Sequence, residues 1–172
     1  MDRGYIQVYT GSGKGKTTAA IGVSMRAIAT GMSVYFGQFL KLGESAEHKI
    51  FNDYSELITY KQFGSGVFVM GDPGVIDYEK AACGWHASLE AINSNLYDLV
   101  VLDELNLAIN LNLIPVEDVV NAISKKPSKL EVIITGRYAT DEIIAAADLV
   151  TEMKEVKHYY KKGVPARKGI EY

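Results

Sequence analysis

Residues 10–18, Thr10-Gly11-Ser12-Gly13-Lys14-Gly15-Lys16-Thr17-Thr18, carry the densest chemistry in this chain of 172 residues. Glycines let backbone N–H groups turn inward without a Cβ in the way. Those N–H groups, placed at a helix N-terminus, cradle phosphate oxygens. Lys16 adds a full positive charge, and the Thr17 hydroxyl can ligate Mg²⁺. The usual spacing G-x-x-x-x-G-K-[ST] has a glycine first; here Thr10 holds that position, with Gly11 one residue later. The context still fits a P-loop, because an apolar alternation (Tyr5–Tyr9) precedes it and a helical pattern (Ala19–Ala29) follows.

A second constellation is Leu99-Val100-Val101-Leu102-Asp103-Glu104, an apolar strand ending in acids, the pattern of a Walker B element. One carboxylate of Asp103 and Glu104 is expected to hold Mg²⁺ opposite Thr17; the pattern alone does not choose between them. Arg26 lies ten residues into the P-loop helix, placed either to reach a nucleotide's sugar or base or to sit on a solvated face. Phe68 and Met70 stand in a glycine-flanked loop, either lining a pocket for a large apolar ligand or tucking onto the core. His48, His86 and His158 match no metal-ligand spacing and read as structural or surface residues. Cys83 reads as a small core residue. The tail carries Lys154, Lys157, Lys161, Lys162, Arg167 and Lys168, with Tyr159 and Tyr160 interleaved. It is either a solvated flap or a lid that attracts an anion.

The elements that must position these residues alternate. Strands are expected at residues 5–9, 33–40, 57–63, 96–102, 130–135 and 149–153. Helices are expected at 19–29, 44–52, 77–93, from Pro115 to about Lys125, and 141–147. In the long third helix, Ala81, Ala82, Trp85, Leu89 and Ile92 fall near helical spacing. Gly31 reads as a C-cap, and 64–74 as a loop. The fold class is a three-layer α/β, P-loop NTPase-like (RecA-like) domain with a mainly parallel sheet, one domain over residues 1–172. In such sheets ligands bind at the carboxyl ends of the strands. Residues 10–18, Gln38–Lys41, 64–74, Asp103-Glu104 and Gly136-Arg137 all follow strand ends, so one rim collects them.

Composition narrows the classes. The net charge of −3 argues against broad nucleic-acid binding. A single cysteine excludes an internal disulfide, which suits a reducing compartment. No stretch has the layout of a signal peptide or the apolar length of a membrane span, so a cytoplasmic location away from membranes is expected.

Several stretches together resemble the P-loop type of ATP:corrinoid adenosyltransferase. They are residues 10–20, Met25-Arg26-Ala27, 34–41, 98–105, 132–137, Val156-Lys157-His158 and Gly169-Ile170-Glu171-Tyr172. The resemblance covers almost the whole chain. It implies transfer of the 5′-deoxyadenosyl group of ATP to the Co(I) of a reduced corrinoid, with release of triphosphate, in adenosylcobalamin synthesis or salvage. It implies Mg²⁺, a homodimer, and an electron donor, a flavoprotein or another reductant, to supply Co(I). It implies ATP reversed in the P-loop, with C5′ facing the acceptor. By the same resemblance Gly11, Ser12, Gly13, Lys14, Gly15, Lys16, Thr17 and Thr18 bind the nucleotide. Arg26 joins them, and Glu104 lies near nucleotide and corrin.

The residues suit that chemistry. Co(I) is itself a strong nucleophile, so no general base is required, and the difficulty lies in the charged leaving group. Backbone N–H groups of residues 11–17, Lys16 and Mg²⁺ would stabilise departing triphosphate, with Lys14 a further candidate. An apolar pocket would favour a corrinoid that has lost a lower axial ligand. Two departures stand out. Many members carry a Phe-Thr-Trp-type sequence where this chain has Val67-Phe68-Val69-Met70, leaving Phe68 as the candidate for the ligand-displacing role. Longer members have a segment before the first strand, so a cap on the site from that segment is expected to be absent or supplied differently. Two other readings share the P-loop: a nucleoside kinase of the thymidine-kinase type, which commonly has a cysteine-rich zinc lobe, and a RecA-like ATPase module.

Overall fold

A computed structural model describes residues 2–43, 46–66 and 72–171. Six strands form one sheet in the order β3-β2-β4-β5-β1-β6. They are β1 (Ile6–Thr10), β2 (Val34–Phe39), β3 (Ile58–Phe63), β4 (Leu99–Asp103), β5 (Glu131–Thr135) and β6 (Leu149–Glu152). Every pairing is parallel. The helices are α1 (Lys16–Ala29), α2 (Ala46–Asp53), α3 (Val75–Asn93), α4 (Leu105–Asn110), α5 (Val116–Ser124) and α6 (Asp141–Ala146). A 3₁₀ turn spans Tyr159–Lys162.

Alternation along the strands builds two cores, one on each face. Val100, Leu102, Val132 and Ile134 meet α3, α4, α5 and α6 through Trp85, Leu105, Ile123 and Ile143. Leu99, Val101, Ile133 and Phe36 meet α1 and α2 through Ala20, Ile28 and Phe51. β2, β4 and β5 are buried along their whole length, which explains the apolar runs Val34–Phe36, Leu99–Leu102 and Val132–Ile134. The edge strand β6 is exposed throughout. The three-layer α/β class read from the sequence is therefore the observed one.

Differences have physical causes. Cys83 is exposed, not part of the core. The buried stripe of α3 is Ala81, Gly84, Trp85, Ser88, Ala91 and Ile92, so Ala82 faces outward. Small residues are required on that stripe: a Cβ on Gly84 would lie 2.7–2.9 Å from the rings of Phe63 and Phe39. Ala81, Trp85 and Ile92 are buried as their spacing suggests and Leu89 packs half-buried against the core, while Gly84 and Ser88 are too weakly hydrophobic for apolar spacing to mark them. Helix α4 was not expected, because Asp103-Glu104 reads as the end of an element. Gly31, at φ 80°, follows the C-cap Thr30 of α1. Pro115 is the N-cap of α5. Among the described residues no helix is long and apolar enough to cross a membrane.

Chain order and sheet order differ, and that places the site. From β1 the chain crosses to β2, over β5 and β4, and α1 packs on β4, β5 and β2 along the way. The start of α1 thereby reaches the carboxyl end of β4.

Candidate functional site

The phosphate loop joins β1 to α1. Thr10 closes β1 in extended geometry, which suits a β-branched residue. The left-handed turns fall on Gly11 (φ 96°) and Gly15 (φ 116°), so the motif tolerates a threonine in first position. The Gly13 N–H donates to the Met153 carbonyl at 2.6 Å, and a Cβ on Gly13 would lie 2.7 Å from that oxygen. The loop is thus fitted against the chain leaving β6. Lys16 is buried, and its ammonium donates to the Gly11 and Gly13 carbonyls at 2.7 and 2.8 Å. Burial pushes its pKa down, against the opposing charge of Glu104. Phosphate oxygens would replace neutral acceptors with charged ones.

Asp103, at the end of β4, is fully buried. Four donors converge on it. Thr17 Oγ1 (2.9 Å) and Thr135 Oγ1 (2.6 Å) reach Oδ1; Gln38 Nε2 (2.7 Å) and Lys41 Nζ (3.2 Å) reach Oδ2. Thr17 and Asp103 are 86 residues apart in sequence and meet because α1 crosses β4. Glu104, at φ 61°, caps α4, and its N–H donates to Thr135 Oγ1 at 3.0 Å. Burial pushes the Glu104 pKa up and Asp103 adds to this, while Lys41, Lys16 and Arg137 oppose it. Burial works against the Lys41 ammonium, but Asp103 and Glu104 outweigh it and its pKa is raised. Behind Asp103, Gln38 Oε1 accepts from Tyr60 Oη at 2.8 Å and from Gln62 Nε2 at 3.0 Å. The Tyr60 hydroxyl also lies 2.5 Å from His48 Nε2.

The tail folds back onto the loop. The Lys14 ammonium donates to Glu171 Oε1 (2.8 Å), Tyr159 Oη (3.1 Å) and the Ile170 carbonyl (3.2 Å). Arg167 stacks 4.9 Å above the Tyr159 ring and pairs with Glu171. Arg167, Lys14 and Tyr159 hold the Glu171 carboxyl well below the usual range. Lys161 pairs with Glu155. Part of the tail's positive charge is therefore matched internally, and its acidic Glu171 reaches the loop.

A cavity of about 810 Å³ opens at this rim. Residues 12–18 of the loop form one wall, with Glu104, Lys41 and Arg137 beside them. Ile21, Leu40, Leu42 and Ile170 supply apolar surface, and His158 also lines the space. Ser12, Gly13, Lys14, Gly15, Lys16, Thr17, Thr18 and Glu104 thus come together on one cavity. Gly11 and Asp103 stand behind it, bonded to Lys16 and Thr17 respectively. Arg26 is exposed in the last turn of α1 and is not among the lining residues. Phe68 and Met70 lie outside the described residues. Among the described residues no group of three or more His, Cys, Asp or Glu side chains is placed to hold a metal. His86 is exposed and pairs with Glu90.

Gln38–Lys41 and Arg137 are legible in the sequence as rim residues without a role, and Thr135 only as the end of a strand. The available signal was position, since each lies at or just after the carboxyl end of a buried parallel strand.

A phosphate loop after β1 and a buried acid two strands away on a parallel, helix-covered sheet define a P-loop nucleotide-binding protein. Comparison with known proteins narrows this. The family model for ATP:corrinoid adenosyltransferase BtuR/CobO/CobP matches residues 2–172, and the chain belongs to that family. A corrinoid adenosyltransferase of Pseudomonas aeruginosa is 36% identical over 172 residues, covering 99% of this chain and 85% of that protein. The corrinoid adenosyltransferase CobA of Salmonella typhimurium is 34% identical over 172 residues, covering 99% and 87%. A solved KaiC-like protein of Pyrococcus horikoshii superposes with a TM-score of 0.54 at 16% identity, covering 90% of this chain and 75% of that one. That likeness shows the fold alone. The kinase and RecA-module readings give way to the family match.

Proposed function

We propose that the cavity holds ATP with its triphosphate on the loop of residues 11–18 and its C5′ turned toward the Co(I) of a reduced corrinoid. The Co(I) electron pair forms the Co–C5′ bond as the bond from C5′ to the triphosphate oxygen breaks, and triphosphate leaves with the pair of that broken C–O bond. The observation that carries this reading is a single cavity joining a phosphate cradle to apolar walls at Leu40, Leu42 and Ile170. Lys16, the loop N–H groups and the start of α1 stabilise the leaving charge. Lys14 and Arg137 add cationic surface. Glu104 faces the same space and orients what binds there. No side chain is required to take a proton, since the step creates no acid.

The donors at the end of β4 fit Mg²⁺. Thr17, Asp103 and Glu104 offer oxygen ligands of the hard kind that ion prefers, and the Lys41 ammonium already lies among them, so the position suits a cation. Mg²⁺ bound there would neutralise triphosphate charge. Asp103 orients Thr17, and Glu104 is the carboxylate open to the cavity. Family membership supports a cytoplasmic homodimer that receives its corrinoid already reduced, by a flavoprotein or another donor. One sheet bearing the described helices supports one domain over residues 1–172. The test is anaerobic adenosylation of chemically reduced corrinoid, followed spectroscopically. Lys16→Ala and Thr17→Ala are expected to lose at least about a hundredfold in rate, as removal of charge-stabilising donors does elsewhere. Near-normal rates in both variants would overturn the assignment of this loop.

A further inference from the structure

Lys41 is the one cation that touches both the Walker B acids and the P-loop threonine in this structure's described residues. Its ammonium lies 3.2 Å from Thr17 Oγ1, 3.2 Å from Asp103 Oδ2 and 3.7 Å from Glu104 Oε1. These are the oxygens that the proposed function assigns to Mg²⁺. The chain takes trouble to put it there. Leu40, immediately before it, has φ 60°, a left-handed conformation that residues other than glycine rarely adopt. Gly64 leaves no room behind it: a Cβ there would lie 2.5–2.6 Å from the Lys41 backbone. The Leu40 N–H is tied to the Phe63 carbonyl at 3.1 Å. Strained, close-packed backbone thus delivers a flexible side chain to one point. That side chain stays 41% exposed, so its head has a way out to solvent.

We propose that Lys41 is a tethered stand-in for the divalent cation. Without nucleotide, its ammonium neutralises the adjacent Asp103 and Glu104 and keeps free metal out. When metal arrives with the triphosphate, the ammonium swings out of the Thr17–Asp103–Glu104 cluster toward the phosphates. Metal entry is thereby made conditional on nucleotide. This inference rests on the assignment of Mg²⁺ to these oxygens, and its test needs neither ATP turnover nor corrinoid.

The probe is Mn²⁺ alone, titrated into nucleotide-free protein and followed by the loss of the free-ion EPR signal. Lys41→Met should bind Mn²⁺ at least about tenfold more tightly than the unaltered chain, because a like charge within 4 Å has gone. Lys41→Arg keeps the charge and should stay with the unaltered chain. Gly64→Ala keeps the lysine but shifts its backbone, and should fall between. Thermal melting gives a second readout: Mg²⁺ alone should raise the Tm of Lys41→Met and leave the unaltered chain unmoved. If Lys41→Met does not fold, Lys41→Gln carries both readouts. Equal Mn²⁺ binding by Lys41→Met and the unaltered chain would overturn the stand-in role while leaving the metal assignment intact, provided Mn²⁺ co-elutes with the protein when ATP is present. No Mn²⁺ retained by the protein in any variant, with or without ATP, would overturn both.

Discussion

Thr135→Val offers the sharpest energetic test of how the site is built, because it keeps the shape of the side chain and removes only its hydroxyl. That hydroxyl donates to the fully buried Asp103 carboxylate at 2.6 Å and accepts from the Glu104 N–H at 3.0 Å. A hydrogen bond to a buried charge is worth about 1.5–3 kcal/mol, and leaving the Glu104 N–H unpaired costs about 1–3 more. Some of this is recovered by relaxation, so a loss of about 3 kcal/mol is expected. For a chain of this length that corresponds to about 6–12 °C in Tm. Urea unfolding and thermal melting by circular dichroism measure it. Thr135→Ser restores the hydroxyl and should recover most of the loss. A change under about 0.5 kcal/mol would be the size of an ordinary surface substitution. It would refute the reasoning that the Asp103 network is an interdependent buried unit.

Further outcomes follow from the same geometry. Gly13→Ala must move the loop off the Met153 carbonyl, and calorimetry should show ATP binding weakened at least about tenfold with the fold intact. Arg26→Ala should leave ATP affinity unchanged, since Arg26 does not line the cavity; a large loss would return it to the nucleotide site. Glu171→Gln should release the tail from Lys14, read as faster amide exchange across residues 156–171. The pH dependence has a definite sign. Glu171 has its pKa depressed in the folded state, so the stability its docking contributes is complete above the ordinary value of 4.5 and is lost as pH falls through the folded value. The unaltered tail should therefore loosen only on acidification, while the Glu171→Gln tail is loose at neutral pH.

Much of this was legible in the chain because two signals are local. A glycine-rich run between an apolar alternation and a helical pattern needs no tertiary information, and neither does an apolar strand ending in acids. Central strands such as Val132-Ile133-Ile134 announce themselves because both faces are buried. What the chain hid was set by packing between distant segments. Gly84 and Ser88 face the core because Phe39 and Phe63 crowd α3, a fact of the sheet rather than of the helix. Lys41, Gln38 and Thr135 converge on Asp103 only because β2 and β5 flank β4. Each is unremarked in its own stretch: a lysine between two leucines, a glutamine in a strand, a threonine at a strand's end. The tail read as plainly basic because Glu155 and Glu171, which match part of its charge, become partners only once it folds back.

Which bond of ATP breaks is reported directly by the phosphorus products. Phosphorus NMR of an anaerobic reaction with chemically reduced corrinoid would follow them, with the light-sensitive adenosylcorrinoid spectrum recorded in parallel. Cleavage at C5′ yields intact triphosphate one for one with adenosylcorrinoid. ADP and phosphate without adenosylation would contradict it, and would mean that the loop around Lys16 works on the γ-phosphate.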